Sequence, residues 1–401
     1  MPETRRGHRG NAAMAWLGFF AVAFSLGSPV IHAREAREIG DRTEVWLVTY
    51  APGEIYWQRF GHNAIWIRDS GLGLDHVFNF GFFDFEQESF FLRFLQGRLL
   101  YFSAAVPAER EFAQYIDENR SIRAQRLDMT PAQALSLADY LVNEVQPENR
   151  DYLYDYFWNN CSTRVRDALD AVLGSALKEA FDPYPAEQNM REITRRLTVA
   201  DYWLYLGLEL GMGASVDQPI SRWDEFFIPG LLADGMAQLP DAPGSYDHGV
   251  VLEDVMLYTS TQPEPPSHPE QWWPQYLLLS AGLLALALAL SRMVRLVQPL
   301  HLARLWLLVS GLLGIAVFYL GFMTDHDAAG NNLNLAVCNP LWILCWMGRK
   351  FLRSIAWLVL GCGALAVVMM LLPPHQYTAD VLALVLPLNV VSALVLLRTG
   401  R

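Results

Sequence analysis

The stretch Tyr154-Asp155-Tyr156-Phe157-Trp158-Asn159-Asn160-Cys161-Ser162-Thr163-Arg164 leads into a run with Val165, Leu169, Val172 and Leu173 on one helical side. That spacing predicts an amphipathic helix. Asn159 or Asn160 suits its N-cap, because a short side-chain oxygen satisfies a free N–H of the first turn. Cys161 then falls within that first turn. Free backbone N–H groups and the positive end of the helix dipole favour a thiolate there. The same N–H groups can hold the oxyanion formed when a thiolate attacks a carbonyl.

A nucleophile needs a base. Upstream, Phe60-Gly61-His62-Asn63-Ala64-Ile65-Trp66-Ile67 reads as a strand with His62 at its start. Val45-Trp46-Leu47-Val48-Thr49-Tyr50 precedes it, and Val77-Phe78-Asn79-Phe80-Gly81 follows a Gly-containing turn as a further strand. A histidine on a neighbouring strand would take the thiol proton and later return it. A third polar group must orient the imidazole, with Asn79 the first choice and His76 the second. The structural alternative is an ordinary strand-edge histidine and a merely buried cysteine. Order along the chain does not by itself bring the two together.

Further out, the composition divides the chain. Hydrophobic residues make up 52% and charged residues 18% of the 401 residues, and the apolar excess gathers after Trp272. Residues 1–33 read as an export leader, signal peptide or signal anchor: Arg5, Arg6 and Arg9, an apolar stretch, then Val30-Ile31-His32-Ala33. Residues 34–261 have the mixed composition of a globular domain. Residues 262–274 include the Pro-rich segment Gln262-Pro263-Glu264-Pro265-Pro266-Ser267-His268-Pro269, a semi-rigid spacer ending at an interfacial Trp272-Trp273 pair.

Residues 275–401 hold apolar runs at 276–290, 305–323, 333–347, 355–372 and 381–397, which predict a five-helix transmembrane bundle. The third run is short and interrupted by Asn339-Pro340. Arg292, Arg295 and Arg304 follow the first run, Arg349, Lys350 and Arg353 the third, and Arg398 and Arg401 the fifth. The positive-inside rule puts those links in the cytoplasm and residues 324–332 on the exported side.

Of the four cysteines, Cys338, Cys345 and Cys362 lie in the apolar half, so Cys161 has no disulfide partner in the exported domain. The net charge of −12 argues against nucleic acid, which needs a basic face. No nucleotide fingerprint occurs, and no cofactor is expected. Asp325, His326 and Asp327 are adjacent and cannot easily converge on one ion, so no metal is expected. Candidate substrate contacts are Asn160, Ser162 and Arg164 beside the thiol. Arg98 is another, as a phosphate ligand or a structural ion pair. His326, Asn332 and Asn334, with Asn331, form a polar cluster that is either a solvated loop or a headgroup contact.

These residues also carry a resemblance. Phe60-Gly61-His62 with Asn159-Asn160-Cys161-Ser162-Thr163-Arg164 resembles the periplasmic domain of the Lnb-type lipoprotein N-acyltransferases. Asn79-Phe80-Gly81-Phe82-Phe83-Asp84-Phe85, Phe94-Leu95-Gln96-Gly97-Arg98-Leu99-Leu100-Tyr101, Pro147-Glu148-Asn149-Arg150 and Phe226-Phe227-Ile228-Pro229 extend it. In the apolar half, Thr324-Asp325-His326, Asn331-Asn332-Leu333-Asn334-Leu335 and Asn339-Pro340-Leu341 match as well. The lecithin–retinol acyltransferase group shares the order of His before Cys.

The resemblance implies an α+β fold, a circularly permuted papain-like (NlpC/LRAT-like) periplasmic domain followed by an all-α transmembrane bundle. It also implies a bacterial inner-membrane enzyme that moves an acyl chain from a phospholipid or other acyl-lipid donor, through a thioester on Cys161, to a lipoprotein amine. The competing expectations are a papain-like cysteine peptidase or amidase of the cell envelope, and a non-catalytic membrane scaffold.

Overall fold

The computed structural model describes residues 42–71, 73–239, 249–294, 298–372 and 376–399. The leader expected at 1–33 lies outside them. The first half is built on one antiparallel sheet. Its strands are β1 (Thr43–Tyr50), β2 (His62–Asp69), β3 (Leu74–Phe83), β4 (Leu100–Pro107), β5 (Ile122–Leu127), β6 (Asp151–Leu153) and β7 (Val251–Tyr258). The seven run in the order β6-β4-β3-β2-β1-β5-β7. β1 lies inside the sheet between β2 and β5, and every residue from Val45 to Tyr50 is buried. A strand covered on both faces needs apolar residues without alternation, as Val45-Trp46-Leu47-Val48 provides.

Helices cover both faces of that sheet. The helices of this half are α1 (Phe90–Gln96), α2 (Ala108–Asp117), α3 (Pro131–Glu144), α4 (Cys161–Val172), α5 (Ala176–Phe181), α6 (Met190–Thr198), α7 (Tyr202–Gly211) and α8 (Pro229–Gln238), of which α2, α3, α4 and α8 pack on the sheet. Leu47, Ile65, Ile67, Phe78 and Phe80 face one way and pack on Val165 and Leu169 of α4. Val48, Tyr50, Ala64 and Val77 face the other way, against Phe112 and Tyr115 of α2. The period of two along each strand produces this division. Asn160 is the N-cap of α4, in a reciprocal box with Thr163.

The second half contributes α9 (Trp273–Met293), α10 (Pro299–Met323), α11 (Leu352–Met370) and α12 (Ala379–Thr399). Among the described residues, four helices are long and apolar enough to cross a membrane. The third of the five expected apolar runs differs from the other four in its winding. Residues 333–347 wind instead as 3-10 turns, Leu333–Ala336 and Pro340–Trp346. Asn339-Pro340 is the cause: Pro340 has no N–H to continue a helix, and the Asn339 side chain caps Leu341 N–H.

The segment still runs the length of α10. A Cβ at Gly321 would meet Ala329, and one at Gly314 would meet Cys338. At the far end the Trp346 indole donates to Arg304 O. A 3-10 winding rises about 2 Å per residue, so few residues cover a long path. Val337 O lies within hydrogen-bond reach of Ser310 Oγ, Trp342 Nε1 and Asn389 Nδ2. Side chains thus serve a backbone that lacks a helical ladder, which buried non-helical segments require.

The two halves are docked. Asn332 Nδ2 donates to Leu210 O and Gly211 O, and Asn334 Nδ2 to Glu209 O, at the end of α7. Arg98 pairs with Asp325. Residues 324–334 therefore sit on the side that carries the sheet domain.

Candidate active site

The site lies where the start of α4 meets β2 and β3. Asn63 is fully buried and fastens that start. Its Oδ1 is 2.8 Å from Ser162 Oγ, and its Nδ2 donates to Thr49 Oγ1 at 2.8 Å. The backbone N–H groups of Asn63, Ser162 and Cys161 lie near enough to the Cys161 sulfur to favour its charged form. Opposite it, Gly81 adopts φ +108° at the bulge in β3, and a Cβ there would sit 3.5 Å from Cys161 Cβ. That φ belongs to glycine, so the bare backbone beside the thiol is a demand of the strand's path.

His62 opens β2, one residue from Asn63. Its Nε2 is 2.8 Å from Asn79 Oδ1. The Asn79 amide N–H₂ donates to Glu111 Oε2 at 3.1 Å, and Tyr50 O–H donates to Glu111 Oε1 at 3.1 Å. The His62 ring stacks beside Tyr50 and Tyr115, which stack on each other at 3.5 Å between centroids. Arg120 lies over the Tyr115 ring at 4.7 Å. It is nearly fully buried, and donates to Ala51 O and Glu118.

Burial dominates the electrostatics here. Desolvation pushes the Cys161 thiol above its ordinary value, outweighing the three N–H groups and the Arg120 charge that pull it down. His62 is lowered from 6.5 to about 4, first by desolvation and then by Arg120, against the Asn79 bond. The N–H groups expected to favour a thiolate act in that direction, and burial outweighs them. Both shifts favour the uncharged forms, thiol at Cys161 and neutral imidazole at His62. Glu111 is raised to about 7, chiefly by burial.

The other candidates scatter. Asn79, and not His76, meets His62; His76 stands three residues away with its buried Nδ1 lacking a hydrogen-bond partner. Asn160 is spent on its cap and on Tyr156 O and Phe227 O. Ser162 is fully buried between Asn63 and Phe226 O. Arg164 pairs with Glu144 and lies 3.7 Å over the Tyr152 ring. Arg98, Asn332 and Asn334 hold the halves together. His326 sits against Phe94 O and stacks on Tyr156. The sequence had not singled out Glu111, Arg120, Tyr115 or the Asn63 N–H. Glu111 and Tyr115 share one helix face four residues apart, a pattern common to many helices.

Between this site and the loop at 325–328 lies a small cavity of about 20 Å³, bordered by Phe94, Tyr101, Tyr154, Tyr156 and His326. Comparison with known families gives two matches: residues 36–196 match the Lnb N-terminal periplasmic domain, and residues 275–401 match the Lnb transmembrane domain. No curated protein and no solved structure matches the chain.

Proposed function

The chain belongs to the Lnb-type family, with a periplasmic domain followed by a transmembrane domain, and from that premise we propose that it is a cysteine-dependent acyltransferase of the bacterial inner membrane. Its donor is an acyl lipid and its acceptor the N-terminal amine of a lipoprotein. The fold we infer for the periplasmic half is papain-like with its order permuted, since the strand bearing His62 precedes the helix bearing Cys161.

The reading is carried by the hydrogen-bonded line Glu111–Asn79–His62, with His62 and Asn79 on the two strands, β2 and β3, that α4 packs against, together with backbone N–H groups that pull the Cys161 thiol down. With Nε2–H donated to Asn79, His62 Nδ1 keeps its lone pair as the base. It takes the Sγ proton as sulfur attacks the ester carbonyl carbon. The N–H groups stabilise the carbonyl oxygen as it gains negative charge. The C–O bond breaks, and the imidazolium returns the proton to the departing alkoxide. The lipoprotein amine then attacks the thioester, the C–S bond breaks, and the amine proton passes through His62 to the sulfur. A neutral resting pair suits this route, because no buried charge has to be maintained between turnovers.

Docking of the site on a membrane half favours a lipid donor over a peptidoglycan substrate. The test is the acylation state of lipoprotein N-termini in cells whose sole copy is Cys161→Ala. Free amines are expected to accumulate. Normal N-acylation there, with no second acyltransferase present, would remove Cys161 from the mechanism and favour the scaffold.

A further inference from the structure

The helix α1, Phe90-Phe91-Leu92-Arg93-Phe94-Leu95-Gln96, carries Phe or Leu at five of its seven positions, with Arg93 and Gln96 together on the remaining side, and none of its residues is buried. Phe91 is 79% exposed, and Leu92, Phe94 and Leu95 are each about half exposed. Folding in water does not leave such a helix uncovered without a partner. The apolar surface continues from it through touching rings: Phe90 on Phe85, Phe85 on Phe83 and on Trp57. Phe85 and Trp57 are exposed too.

The surroundings of α1 say what covers it. The N–H of Asp325, just past the end of the 25-residue α10, donates to Gln96 O. His326 Nε2 sits 2.9 Å from Phe94 O. Gly97, the C-cap of α1, lies so close to this turn that a Cβ would come 2.8 Å from the Asp325 carbonyl carbon. The helix is therefore fixed at the level where α10 leaves the bilayer. The last turns of α10 expose Phe318, Phe322 and Met323. Apolar surface at the end of a span, continuous with the span's own outward face, meets lipid.

The same surface leads inward. Phe83 touches Tyr101 at 5.2 Å, and Tyr101 stacks on Tyr154 at 4.0 Å. Both tyrosines lie near enough to Cys161 to feel its charge. We propose that α1 and the Trp57–Phe85 shelf are seated in the exported-side leaflet, and that a lipid acyl chain travels along them, past Phe83 and Tyr101, to Cys161. The second part rests on the acyl-transfer reading above; the first does not.

The experiment uses the full chain in phospholipid nanodiscs with benzoylphenylalanine at position 91, or at Leu252, which is exposed on the far edge strand β7. Photolysis is expected to cross-link lipid at 91 and not at 252. Absence of lipid adducts at 91 would overturn the seating. In a second arm, Phe91→Asp is compared with the unaltered chain for acylation of Cys161 by a vesicle-borne diacyl phospholipid and by a water-soluble short-chain ester. The expected result is a half-saturating lipid concentration raised about tenfold, with the soluble ester reacting as before. Equal loss with both donors would overturn the passage, since it would mean a disturbed site. Lipid cross-linking at 91 in a chain whose Cys161 takes acyl groups from neither donor would overturn the passage through failure of the acyl-transfer reading, while leaving the seating established.

Discussion

His62 Nε2 lies 2.8 Å from Asn79 Oδ1, and this contact decides which ring nitrogen remains to act. An amide oxygen accepts, so Nε2 carries the hydrogen and Nδ1 the lone pair. In Asn79→Ala the imidazole loses that instruction and samples both tautomers. The expected outcome is a kcat lowered roughly 10²-fold, within the range for general acid–base effects, with little change in KM. A KM effect of equal size would instead mark Asn79 as a substrate contact.

Asn79 is itself instructed by Glu111. The carboxylate accepts the amide N–H₂ at 3.1 Å and leaves Oδ1 for His62. Glu111→Gln keeps an acceptor at that place and is expected to retain most activity. Glu111→Leu leaves the amide free to turn its N–H₂ toward His62, and is expected to lower kcat as Asn79→Ala does. Stability responds with the opposite emphasis. The Glu111 carboxyl titrates near 7 when folded and near 4.5 otherwise. Folding therefore favours its protonated form, which adds stability fully below pH 4.5 and loses it as pH rises through 7. At pH 8, Glu111→Gln should unfold at a higher temperature than the unaltered chain. A lower unfolding temperature there would remove the buried-carboxylate explanation.

The depressed His62 value sets the acid limb of activity. Neutral imidazole is the active form, and with a value of about 4 it persists well below the ordinary 6.5. A plot of log kcat/KM should stay level from neutral pH to about pH 5 and fall only below that. Arg120 contributes to the depression by charge, so Arg120→Gln should move the limb to higher pH. A limb already near 6.5 in the unaltered chain would show that water reaches His62 far more freely than the surrounding rings imply.

Much of this was readable in the chain, and the reasons differ by residue. The start of α4 was legible because its cap chemistry and apolar spacing are local. β1, β2 and β3 were legible from short aromatic and β-branched runs. Asn79 was reachable because it shares a hairpin with His62. Glu111 and Arg120 were not, since they reach the site by the packing of α2 and the turn after it on the sheet. At Cys161 burial outweighs the N–H groups that the local sequence announced, and burial is a property of the folded whole. The third apolar run looked like a short helix because composition registers apolarity, not winding. The polar cluster Asn332–Asn334 was visible, but its partners were the carbonyls of α7, more than a hundred residues away.

Those carbonyls adjoin a buried ionic cluster that joins the two halves, and it yields the last prediction. Arg191 is fully buried, bonding Asp217 at 2.9 Å and lying 3.5 Å from Glu209. Its Nη2 also donates to Met212 O and Gly213 O. Arg195 donates to Tyr205 O–H, and Tyr205 donates to Asp380 at the start of α12. Burying charges is unfavourable unless each meets its opposite, and removing one member leaves the others stranded. Arg191→Met is therefore expected to destabilise the folded chain by about 3–5 kcal/mol, read from thermal unfolding in nanodiscs. It should also expose the junction at 210–217 to protease. Glu209→Met added to Arg191→Met removes a stranded carboxylate, so the double variant should recover part of the loss, by the non-additivity expected of contacting residues. A single variant as stable as the unaltered chain, or a double variant no better than the sum of its parts, would mean that packing rather than charge holds the periplasmic domain on its membrane half.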